Sequence, residues 1–149
     1  MILRDEAATA KLGARLAAIA RSGDVITLSG PLGVGKTALA RGFIEALGYE
    51  GHVPSPSFSL VQTYGELEPR VWHVDLYRIE QPSEIEELGL DAADEGVLLV
   101  EWPQRAGAEL WPESLALSLN FGDSGQRILT AKVPPSWDGR WLPEMNPLE

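Results

Sequence analysis

The spacing of apolar residues changes period several times along the chain. Ala8, Leu12, Leu16 and Ile19 recur at helical spacing in an alanine-rich stretch, which predicts a helix stopping near Gly23. Val25–Ser29 shows little polar alternation and reads as a strand buried on both faces, as in a parallel sheet. After a glycine-rich turn, Leu39, Phe43 and Leu47 sit four apart, and Gly48 ends this second helical pattern. Gly51–Ser57 holds Pro54 and Pro56 and is predicted to be irregular. Phe58–Tyr64 and Val71–Leu76 read as strands, antiparallel because the connection is short. Ser83-Glu84-Ile85-Glu86 fits a capping box and predicts a short helix ending near Gly89. Val97–Val100 reads as a central strand. Leu115, Leu117, Leu119 and Phe121 alternate, as do Leu129, Ala131 and Val133, so these two runs predict a hairpin. Residues 134–149 contain four prolines and read as an irregular tail. The whole pattern predicts one α/β domain over residues 1–149, without internal repeats.

Composition narrows the chemistry. The 149 residues include no cysteine, which excludes a disulfide framework, a thiolate nucleophile and Cys-based metal sites. A net charge of −10 argues against direct, strong binding of RNA or DNA. The longest run without a charged residue, Gly51–Gly65, has 15 residues and two prolines, too short and too polar to span a bilayer. Arg4, Asp5 and Glu6 with no apolar core behind them give no sign of a signal peptide, so the cytoplasm is the expected compartment.

One segment carries specific chemistry. Gly30-Pro31-Leu32-Gly33-Val34-Gly35-Lys36-Thr37 matches G-x-x-x-x-G-K-[ST]. Gly30, Gly33 and Gly35 let the backbone wrap a phosphate without Cβ clashes, with successive N–H groups pointing inward. Lys36 is expected where the next helix begins, so its ammonium and the helix N-terminus face the same anion. The Thr37 hydroxyl is placed for Mg²⁺. The motif follows a buried-type strand and precedes an amphipathic helix, as this mechanism requires.

Nucleotide hydrolysis needs more than this loop. Two apolar strands end in acid: Val97–Val100 leads into Glu101, and Val71–Val74 into Asp75. Either carboxylate could reach Mg²⁺, directly or through water, although the usual acid at this place is Asp. Ser55-Pro56-Ser57 lies in a proline-punctuated loop where a hydroxyl could contact Mg²⁺ or a γ-phosphate. Trp102, next to Glu101, reads as packing. His73 reads as a strand residue with a hydrogen-bonded ring, and His52 is the only other histidine. No N-K-x-D occurs, which favours ATP over GTP. Arg41, Arg70, Arg78 and Arg105 are all candidates for a catalytic arginine, and a partner could supply one instead. The acidic stretch Glu84–Glu95 reads as a solvated face.

Gly30–Thr37, Arg41-Gly42, Ser55-Pro56-Ser57-Phe58, His73-Val74-Asp75-Leu76-Tyr77-Arg78, Glu87-Leu88-Gly89 and Leu99-Val100-Glu101-Trp102-Pro103 occur in that order. Together they resemble the TsaE (YjeE) family over about residues 4–133. The resemblance implies a single P-loop NTPase domain, three-layer αβα, with a mixed parallel and antiparallel sheet. It implies an ATPase that uses ATP and Mg²⁺ and is weak alone. The partners it implies are TsaB and TsaD, which form threonylcarbamoyladenosine beside the tRNA anticodon. The tRNA is met only through that complex, and no membrane is involved. By the same resemblance Gly33, Val34, Gly35, Lys36, Thr37 and Ala38 cradle the phosphates, and Thr37 and Glu101 hold Mg²⁺. Lys36, Glu101 and Asp75 are the implied catalytic set, Ser55 and Ser57 a switch, Trp102 a packing residue near the site, and Glu6 an adenine contact. Two positions depart from the family pattern. Ser57 stands where a threonine is usual, and Ala38 where a second threonine is common. Two other readings stay open on the residues alone: a small-molecule kinase, and a non-catalytic nucleotide-gated binding module.

Overall fold

The computed structural model describes residues 1–107 and 110–141, and the side chains of all of these but 91–93. Strands β1 (Ile2–Leu3), β2 (Val25–Ser29), β3 (Val61–Tyr64), β4 (Arg70–Asp75), β5 (Gly96–Glu101), β6 (Leu115–Phe121) and β7 (Arg127–Lys132) form one sheet. Its order is β1-β7-β6-β2-β5-β4-β3. β2 pairs in parallel with β5 on one side and β6 on the other, and β4 pairs in parallel with β5. The β3–β4, β6–β7 and β1–β7 pairs are antiparallel. The short apolar run at 25–29 thus has the doubly buried place its composition predicts.

Side-chain alternation splits the central strands between two cores. Val97 and Leu99 of β5 face helices α1 (Glu6–Ile19) and α2 (Lys36–Ala46), while Leu98 and Val100 face the other way. On the helical side Leu12, Leu16, Leu39 and Phe43 are buried. On the far side the cover is three 3₁₀ segments, Pro82–Leu88, Leu90–Glu95 and Pro103–Ala106, which contribute Ile85, Leu88, Leu90 and Ala106. The layers are therefore two α-helices, the sheet, and a layer of 3₁₀ turns.

α1 begins at Asp5, whose carboxylate accepts the Ala8 N–H at 2.9 Å. It ends at Ile19, before Gly23, which sits in the following turn with φ +96°. The two helices touch backbone to backbone. A Cβ on Gly13 would overlap the Leu39 carbonyl, and one on Gly42 would overlap the Ala10 carbonyl.

Four expectations are corrected. The strand predicted from Phe58 starts only at Val61, because Pro56–Leu60 makes a turn closed by the Leu60 N–H on the Pro56 carbonyl, with Leu60 at φ +69°. The predicted capping box is formed by Gln81 with Glu84, not by Ser83, and Pro82 takes the first position of the turn. β1 was not expected. Residues 134–141 are irregular for the most part, but Pro135–Trp137 forms a turn and Trp137 is buried in the main core. Arg140 stacks on Trp137 and forms a two-pronged ion pair with Asp24 at 2.7 and 3.0 Å. The remainder of the predicted tail, 142–149, lies outside the described residues. No helix among the described residues is long and apolar enough to cross a membrane.

Candidate functional site

Everything of chemical interest converges where the parallel strands end. The loop after β2 carries Gly30, Gly33 and Gly35 at φ +145°, +78° and +119°, a backbone that residues with a Cβ rarely adopt. Gly30 also lies so close to β6 that a Cβ there would overlap the Leu119 carbonyl. Gly35 caps α2 with no side chain on the first N–H groups of the helix. The positive end of the helix dipole is therefore open to an anion. On the other side of the loop, Arg127 of β7 donates Nε–H to the Val34 carbonyl at 2.7 Å.

Lys36 is the first residue of α2, as predicted, and is 4% exposed. Its Nζ donates to the carbonyls of Gly30 (2.6 Å) and Pro31 (2.9 Å) and sits 4.3 Å over the Trp102 ring. Burial lowers its pKa, and the nearby Glu101 and Asp75 carboxylates oppose that shift. Trp102 is held in the left-handed region at φ +60° with Tyr77 packed against it.

Asp75 and Glu101 are the last residues of neighbouring parallel strands and lie in register. The Thr37 hydroxyl is 3.0 and 3.1 Å from the two Glu101 oxygens. His73 Nε2 lies 2.7 Å from Glu101 Oε2, and both side chains are buried. Asp75 accepts the Tyr77 N–H at 2.9 Å and the Ser57 hydroxyl at 3.3 Å, and Ser57 is bonded to Ser55 at 2.8 Å. The proline loop thus reaches the sheet through a serine pair.

Burial is the main cause that raises the Asp75 pKa, and the Glu101 charge adds to it; the Tyr77 N–H, the Ser57 hydroxyl and His73 pull the other way. A carboxyl raised on folding contributes stability at low pH that is lost as pH rises through its folded pKa. Asp75→Asn is therefore expected to raise the melting temperature at neutral pH. The gain should shrink as pH falls through the raised Asp75 pKa. Parallel melting curves for the two proteins at every pH would contradict this.

Lys36, Thr37, Asp75 and Glu101 line a cleft of about 380 Å³. Glu6, Gly33, Gly35, Lys36, Thr37, Ala38, Ser55, Ser57, Asp75, Glu101 and Trp102 all border it. Gly30 supports it from behind, and the Val34 side chain is fully buried in the core. Larger hollows of about 620 and 900 Å³ exist elsewhere, but neither contains Lys36, Thr37, Asp75 or Glu101. Chemistry, not size, singles out the smaller one.

Of the four candidate arginines only Arg41 borders the cleft, with Nε donating to the Val53 carbonyl at 3.3 Å. Arg70 lies at the opposite end of β4 beside Glu95, Arg78 covers Phe58, and Arg105 covers Tyr77. His52 lines the 900 Å³ hollow, apart from His73. The ring of His73 is hydrogen-bonded as expected, but its partner, Glu101, was not foreseen. The signal was available, since residues 73 and 75 share one face of a strand. Arg127 gave no signal, because its bond to Val34 spans 93 positions.

A central parallel sheet, a glycine loop leading from β2 into α2, and acids at the ends of the two adjoining strands define an α/β domain of the P-loop NTPase class. Comparisons with known proteins make this more specific. The family described as "Threonylcarbamoyl adenosine biosynthesis protein TsaE" matches residues 3–129, and the chain belongs to it. The TsaE protein of Bacillus subtilis is 40% identical over 116 residues, covering 76% of this chain and 72% of its own. That of Streptomyces coelicolor is 40% identical over 124 residues, covering 79% and 84%. The crystal structure of Bacillus subtilis YdiB superposes with a TM-score of 0.77 at 30% identity, over 91% of this chain and 85% of that one.

Proposed function

We propose that this chain binds and hydrolyses ATP with Mg²⁺, and that this cycle drives or resets the TsaB–TsaD complex that forms threonylcarbamoyladenosine on tRNA. One observation carries the reading: Lys36, Thr37 and the open end of α2 face the same cleft as Glu101 and Asp75. Phosphate binding and hydrolysis need both halves of that arrangement.

The Gly33–Ala38 backbone receives the phosphates, and the Lys36 ammonium exchanges its two carbonyl partners for phosphate oxygens. Thr37 gives its one proton to Glu101, which leaves its lone pairs for a cation; with the Glu101 carboxylate this is a hard oxygen set suited to Mg²⁺. Bound there, the cation would neutralise charge on the β- and γ-phosphates. Among the described residues no three His, Cys, Asp or Glu are grouped so as to hold a metal ion. Asp75, fixed by Tyr77 and Ser57, holds the attacking water. Ser55 and Ser57 carry the loop that responds to the γ-phosphate. Glu6, on the cleft wall, is the base-side contact, and Trp102 is the floor under Lys36.

The charge of −10 suits a subunit that supplies the ATP cycle while its partners hold the tRNA. Phosphate release is expected to be slow for the chain alone and to rise severalfold when TsaB, TsaD and tRNA are added. A rate indifferent to those partners, or a phosphorylated metabolite in place of free phosphate, would overturn the reading.

A further inference from the structure

We infer that His73 is a positioning residue for Glu101, compensating for a glutamate where the strand-end acid of such a site is usually the shorter aspartate. The inference rests on the proposed Mg²⁺ role of Glu101.

His73 is fully buried on β4. Its backbone partner on β5 is Leu99, so Glu101 is its diagonal neighbour two positions on and on the same face. An ionised carboxylate only accepts hydrogen bonds, so the 2.7 Å contact has Nε2–H donating to Oε2. The other ring nitrogen, Nδ1, is buried without a partner among the described residues. A histidine kept for core structure normally has both nitrogens satisfied. Among the described residues this one leaves a polar atom unmatched and makes a single polar contact, with Glu101.

The reason lies in the length of that side chain. Glutamate has one more rotatable bond than aspartate and loses more rotamer freedom when fixed. Thr37 alone touches both oxygens but leaves the carboxylate free to swing about that contact. A donor from the neighbouring strand, held rigidly by the sheet, fixes the second point. Residues that orient a metal-binding carboxylate in this way typically contribute about 10–100-fold to metal affinity.

The test is calorimetric titration of the full chain with ADP, in Mg²⁺ and in EDTA, together with thermal melting. Wild type is expected to bind ADP more tightly in Mg²⁺. His73→Gln, whose amide nitrogen can reach where Nε2 lies, should keep most of that tightening. His73→Asn, polar but too short, should lose it by about tenfold or more. Both should bind ADP in EDTA as wild type does. The Asn–Gln contrast is read only through Mg²⁺ dependence, so a general loss of stability cannot imitate it. If Asn and Gln behave alike, or if His73→Asn keeps the full Mg²⁺ effect, the inference fails. If wild type itself shows no Mg²⁺ effect, the metal reading fails and takes the inference with it.

Discussion

Lys36→Ala is expected to abolish the rise in melting temperature that ATP with Mg²⁺ gives the wild type, and to lower phosphate release roughly 10²–10³-fold. The cleft contains one buried ammonium facing two carboxylates, Glu101 and Asp75, and burial already works against that charge. A phosphate chain adds more negative charge to the same space. Without Lys36 the α2 N-terminus and the Thr37–Glu101 pair remain, but nothing balances the anion at the point where the loop closes. A ligand at a hundred times its dissociation constant stabilises a protein by about 2.7 kcal/mol, a shift that melting experiments resolve. The unliganded variant serves as the control, since alanine also removes the contacts to the Gly30 and Pro31 carbonyls. A wild-type ATP shift in Lys36→Ala would show that the glycine loop is not where the nucleotide binds.

The second large effect is expected where α2 meets α1. Gly42→Ala replaces glycine by the best helix former inside a helix, which by propensity alone would stabilise by about 1 kcal/mol. The structure predicts the opposite sign. The new methyl group would overlap the Ala10 carbonyl, and backbone has no rotamer by which to move aside. α1 and α2 must separate, at a cost of about 1–3 kcal/mol or more for overpacking a closed contact. Gly13 meets the Leu39 carbonyl in the same way, so Gly13→Ala should behave alike. Because α2 begins with Lys36 and Thr37, nucleotide affinity should fall together with stability. Urea unfolding of the two variants checks this; either being as stable as wild type would contradict the close helix contact.

Local features of this fold were legible in the sequence, and those fixed by distant partners were not. Val25–Ser29, the glycine loop and the start of α2 follow from residues within a dozen positions of one another, and the strand and helix lie where the pattern put them. The cleft was legible for the same reason: its acids end apolar strands, and its serines flank Pro56. β1 has two residues and no period to detect; it exists because β7 offers a free edge. Phe58 and Leu60 are β-prone, yet the turn that closes on Pro56 takes them out of the strand and leaves Phe58 83% exposed. Gly13 and Gly42 look like defects in helices until the facing carbonyls are seen. His73 and Arg127 each bond to a residue at least 28 positions away; for His73 the strand face it shares with Asp75 was the one local signal, and Arg127 had none.

The Asp24–Arg140 pair sets apart two boundaries that are easily taken for one. The family match ends at residue 129, yet Trp137 fills the main core and Arg140 ties the end of α1 to the start of β2 through Ile19 and Asp24. A chain cut at the family boundary would keep every group that lines the cleft. It would also leave the Asp24 carboxylate without its cation beside an empty indole-sized hole. The segment the family model matches and the cooperative folding unit therefore have different ends, and a truncation that preserves the first can still destroy the second.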